Sequence, residues 1–176
     1  MNSDQPRQEH ASPHVRRTRS ISPRGRRLAE LLLPHVDAAL SVRRARSGEV
    51  EGFSFTDAPP VAVRRALAEV PGLADRRPND QPPAAWLLKM AEQFDGRLCG
   101  VVETRYAALR VDAICLPAGA ATAVLRALAA AYPGQDEAAV VEAWSGWDAA
   151  DPLWTGAGSD LRTLIPAARV YSLWWD

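Results

Sequence analysis

The side chains best placed to do chemistry lie in the last third of the chain. Trp144, Trp147, Asp148, Asp151 and Trp154 interleave indole rings with carboxylates across a stretch punctuated by Gly146 and Pro152, and Asp160 follows shortly after. The face of an indole attracts positive charge through its quadrupole, and a neighbouring carboxylate adds Coulomb attraction. This pattern suits recognition of a cation, whether a ligand ammonium or a partner's arginine. The competing reading is that the rings close the core at the end of the chain, since tryptophan is highly buried on average. Trp174 and Trp175 occupy adjacent strand positions and must face opposite sides.

Other chemistries find less support. The run Gly156-Ala157-Gly158-Ser159-Asp160-Leu161-Arg162 is the nearest approach to a phosphate loop, but it lacks the Lys-Ser/Thr pair of such loops and reads as a glycine turn with Ser159 or Asp160 as a helix cap. His10, His14 and His35 have no partner at metal-ligand spacing, so neither a zinc site nor histidine-based catalysis is expected. Ser145 in Trp144-Ser145-Gly146 lacks the paired glycines of a nucleophile elbow. Asp148, Asp151 and Asp160 match no ion-binding loop. Cys99 and Cys115 fall within predicted strands, where a thiol is usually a small buried hydrophobe. No catalytic residue, metal or cofactor is therefore expected. The rival expectation is an enzyme assembling a site from Glu103, Asp112, Asp160 and Arg162, which are distant in sequence.

The elements that must position these groups follow from periodicity and punctuation. Ser22-Pro23 is a helix start, with Leu28, Leu31, Leu32, His35, Val36 and Leu40 at helical spacing and Pro34 kinking or splitting the helix. Val50 to Phe55 reads as a strand and Pro60 to Val70 as a second helix. Pro71 to Pro83 is a proline-restricted loop, and Trp86, Leu87, Met90 and Phe94 mark a third helix. Arg97 to Val102 and Leu109 to Leu116 form a hairpin, for which pairing Glu103 with Arg110 gives one apolar face. That register sends Cys99 and Cys115 to opposite faces, where they cannot be bridged. Ala120 to Tyr132 is a fourth helix, Glu137 to Trp144 fits strand or helix, and Arg169 to Trp175 reads as a last strand. The predicted fold is α+β: a small antiparallel sheet made of the 97–116 hairpin and the C-terminal strand 169–175, with 50–55 as a further candidate, and about four helices packed on one side.

Charge completes the outline. Residues 1 to 27 hold seven arginines against Asp4 and Glu9, which makes that segment +5 and the rest of the chain −5. Residues 1–23, rich in Ser, Pro and Arg, are expected to be a disordered tail ahead of a single domain, 24–176. The tail is a dispensable extension, an arm for nucleic acid or another acidic surface, or a partner for the acidic body. No apolar run is long enough to span a membrane, and two cysteines with no leader-like segment point to a reducing, cytoplasmic setting. The expected function is that of a non-enzymatic module of inhibitor, immunity or accessory type, gripping a cationic partner through its acidic, Trp-rich C-terminal surface.

Overall fold

The computed structural model describes residues 21–36, 42–77, 81–161 and 165–175. Helix α1, Pro23–Leu32, begins where Ser22 Oγ accepts the Gly25 N–H at 3.0 Å and Pro23 fills the first helical position, whose N–H would have no partner in any case. At Leu33–His35 the chain tightens into a 3-10 turn around Pro34. Gly25 permits a close crossing, since a Cβ there would lie 1.7 Å from the Thr104 carbonyl oxygen. The remaining helices are α2 (Pro60–Ala68), α3 (Ala84–Gln93), α4 (Ala118–Ala131) and the single turn α5 (Gln135–Ala138). Among the described residues no helix is long and apolar enough to cross a membrane.

Among the described residues seven strands form one antiparallel sheet: β1 (Arg43–Arg44), β2 (Val50–Ala58), β3 (Arg97–Glu103), β4 (Ala108–Pro117), β5 (Val140–Trp144), β6 (Trp154–Ala157) and β7 (Val170–Trp174), in the order β1-β2-β3-β4-β7-β5-β6. The C-terminal strand β7 inserts between β4 and β5, so it is interior to the sheet and Val170, Tyr171, Ser172 and Leu173 are all buried. Phe53, Phe55, Leu98, Ile114, Val141 and Leu173 belong to the face that packs against Leu28 and Leu32 of α1, Leu87 of α3 and Leu128 of α4. The opposite face carries Cys99, Cys115, Ser172, Glu142 and Trp174, along registers that pair Cys115 with Ser172 and Ser172 with Glu142.

This sheet corrects the small one expected from sequence. β1 spans only two residues, β6 is four residues containing Gly156 and Ala157, and β5 opens on adjacent valines, so none of them carries an alternation legible in the residues alone. The expected glycine turn at 156–158 is in part edge strand β6, followed by a 3-10 turn at Gly158–Asp160. The hairpin register also differs. Glu103 lies opposite Ala108, and Arg110 opposite Val101. Glu103 pairs instead with Arg43, and Arg110 with Asp112 two residues along its own strand.

Gln81, ahead of α3, is pinned from inside. Gln81 is buried and its amide Nε2 donates to the Val111 carbonyl at 2.6 Å. Gln81→Ala should cost about 1–3 kcal/mol, because it opens a small void and removes the partner of a buried acceptor. A urea midpoint within error of the parent protein would show that the approach to α3 does not depend on this bond.

Candidate functional site

Two irregularities in neighbouring strands shape the face opposite the helices. In β2 the pairing shifts between Phe55 and Ala58, and Asp57 takes a left-handed backbone conformation at φ 52°. In the hairpin the register shifts between Cys99 and Gly100, so that Gly100 lies opposite Val111 while Cys99 lies opposite Ala113. Bulges re-aim side chains, and a one-residue slip exchanges the faces of everything beyond it. The slip puts Cys115 on the same face as Cys99, with their sulfurs 3.7 Å apart. The two thiols are therefore neighbours, which overturns the expectation that they point to opposite faces.

Their electrostatics follow from this contact. Donation from the Cys115 thiol, helped by the Asp57 backbone N–H, lowers the Cys99 thiol below its ordinary value against the opposing effect of burial. Cys115 is raised well above its own, first because its S–H is held in the hydrogen bond to Cys99 and then by burial, with the Ser172 hydroxyl opposing. A carboxylate oxygen of Asp57 and the two sulfurs all lie within 4.8 Å of one another.

The loop that leaves β5 covers this end of the sheet. Trp144, Gly146, Trp147 and Ala149 join Thr56, Asp57, Cys99, Cys115, Val170 and Ser172 around a cleft of about 260 Å³. A second cleft of about 580 Å³ shares Thr56, Asp57, Trp147 and Ala149, and adds Pro34, His35, Val36, Asp148 and Ala150. Burial, reinforced by the charge of Arg97, lowers the His35 pKa and favours the neutral imidazole. A larger cleft of about 610 Å³, beside α1, is mostly apolar, lined by Ile21, Ala29, Leu33 and Val50. Its charges have partners of their own, Arg26 with Glu49 and Glu30 with Arg27, and it contains no indole.

The sequence-predicted site divides. Trp144 is half-buried in the smaller cleft, Trp147 is 41% exposed and shared by both clefts, and Asp148 is exposed in the 580 Å³ cleft. Asp151 is exposed but lines neither. Trp154 sits on β6 and packs against the core. Asp160 accepts the Ala157 N–H at 3.3 Å and caps its own 3-10 turn. Asp57, His35 and the cysteine pair were missed. Gly100 was the available signal, because an isolated glycine within a strand marks a bulge, and a bulge between the cysteines changes their relative facing.

These features define an α+β protein whose sheet is covered by helices on one face and, at one end of the other, bears an aromatic, acidic and thiol-lined double cleft. Comparison of the chain with protein-family models, curated proteins and solved structures gave no match.

Proposed function

We propose that this protein is a non-enzymatic binding module, working in a reducing, cytoplasmic setting, that takes a cationic group of its partner into the cleft between Asp57 and the 145–151 loop. The observation that carries this reading is that Asp57, Asp148 and the exposed ring of Trp147 line one cleft of about 580 Å³. A guanidinium or ammonium there meets an indole and two carboxylates together, a combination in which the ring and the acids reinforce one another. The half-covered cleft suits an arginine side chain from a protein partner, as an inhibitor, immunity-type or accessory protein would receive it.

The enzyme reading is weaker on its own residues. Glu103 is engaged by Arg43, Asp112 by Arg110, and Asp160 by its capping bond, while Arg162 lies outside the described residues. Burial raises Asp112 and Glu142, but each faces a separate partner, Arg110 for the first and Trp174 for the second. The nucleic-acid reading rests on residues 1–27, of which 1–20 lie outside the described residues.

Titration of the full chain with an arginine-containing peptide, followed by tryptophan fluorescence, tests the proposal. The double variant Trp147→Ala, Asp148→Ala should bind about 10-fold to 100-fold more weakly, since an exposed cation–π contact and a charge pair are each worth about 1 kcal/mol. The parent's binding should also weaken as salt rises. Equal affinity of parent and double variant, or equal affinity for a neutral peptide, would remove the site.

A further inference from the structure

We propose that Cys99, Cys115 and Asp57 form a three-ligand site for a borderline-soft divalent ion of the zinc class, with its fourth position open to the cleft under Trp147. The sulfurs stand 3.7 Å apart. Two zinc–sulfur bonds of about 2.3 Å at a tetrahedral angle separate their sulfurs by about 3.8 Å, so the pair already spans one edge of such a site. The Asp57 oxygen is within 4.8 Å of both sulfurs, on an exposed side chain at the mouth of the same cleft. Two thiolates and one carboxylate select zinc or cobalt over magnesium or calcium, which take oxygen ligands only.

The backbone around the three groups is built for convergence. The β2 irregularity places Asp57 at a positive φ that a non-glycine residue adopts at a cost, and the hairpin bulge puts Cys115 on the Cys99 face. A polar neighbour exists too: Ser172 lies directly opposite Cys115 in the β4–β7 register and lines the same cleft. A disulfide fits the geometry less well. Cys99 is opposite Ala113, so Cys115 is its diagonal neighbour. Diagonal Cα atoms lie about 7–8 Å apart, beyond the usual disulfide span of about 4.4–6.8 Å.

Binding balances as one divalent ion taken up and two thiol protons released. The cluster carries −1 before, from the carboxylate, and −1 after, from two thiolates, one carboxylate and a +2 ion. The net charge of the cluster is thus the same with and without the ion; the two readings share Asp57, whereas Asp148 belongs to the cation cleft alone and the two thiols to the metal site alone.

The experiment is a titration of the reduced full chain with Co²⁺. The expected result is a thiolate-to-cobalt charge-transfer band and strong tetrahedral d–d absorption saturating at one ion per chain, displacement by Zn²⁺, and release of two protons. Cys99→Ser and Cys115→Ser should abolish the band. Asp57→Asn, at an exposed position that leaves the core intact, should weaken Co²⁺ on the order of 100-fold, the upper end of what loss of even an outer contact costs. Trp147→Ala should leave Co²⁺ binding unchanged, which separates failure of this site from failure of the peptide cleft. If a cysteine variant does not fold, protection of the parent's two thiols from alkylation by Zn²⁺ gives the same answer. No band at saturating Co²⁺, a band retained in both cysteine variants, unprotected thiols, or a Cys99–Cys115 disulfide formed in air without loss of the native fold would each overturn the proposal.

Discussion

Gly100→Ala is expected to cost about 3 kcal/mol and to separate the two thiols. A Cβ on Gly100 would sit 2.0 Å from the Arg110 carbonyl oxygen and 2.8 Å from the Phe55 ring. The first contact is with backbone, so a side-chain rotation cannot relieve it, and Phe55 is fully buried. The strands must therefore move apart or re-register. Continuing the Gly100–Val111 register without the bulge would place Cys99 opposite Asp112 and turn Cys115 towards the helix-covered face. The stability loss would appear as a lower denaturant midpoint at unchanged slope, and the re-registration as loss of Cys99–Cys115 crosslinking by a short bifunctional thiol reagent. A variant within about 0.5 kcal/mol of the parent, with crosslinking retained, would mean that Gly100 does not hold the register.

What could be read from the residues, and what could not, follows the same physics. Helices α1 to α4 were legible because each carries an apolar stripe and a proline or serine at its start, as Ser22-Pro23 and Pro59-Pro60 illustrate. β3, β4 and β7 were legible as runs of β-branched and aromatic residues. The two edge strands were not: two residues in β1 cannot show a period, and the glycine of β6 reads equally well as a turn. Pairing Glu103 with Arg110 assumed that opposite charges mark opposite positions. Each instead found a partner outside that pairing, Arg43 on β1 and Asp112 on the same strand, so the charges carried no register information. The site suffered most from this error. Trp147 and Asp148 were visible as a local pattern, whereas Asp57 and the thiols meet only through the folding of β2, β3 and β4 around two bulges.

The six tryptophans also answer differently to structure and to function, and Trp175→Ala isolates the structural end of that range. Trp175 is 6% exposed, immediately after β7, and its Nε1 donates to the Gln135 carbonyl at 3.1 Å, tying the last strand to the single turn of α5. Removing the ring leaves a cavity and breaks the tie to α5, while the Gln135 carbonyl keeps the Ala139 N–H as a donor, so the loss, set by the cavity, should be about 3–5 kcal/mol, a large share of a typical domain's total stability. Trp175→Phe keeps most of the volume and loses the hydrogen bond, so it should recover most of the stability and remain about 1 kcal/mol below the parent. Trp147→Ala should change the unfolding free energy by less than about 0.5 kcal/mol, since its ring is 41% exposed in the loop after β5. Chemical denaturation of the three variants distinguishes the roles. A Trp147→Ala loss as large as that of Trp175→Ala would make the indole of the cleft a structural support rather than a surface for positive charge. A near-neutral Trp175→Ala would mean that the sheet does not depend on the chain's last indole to hold α5.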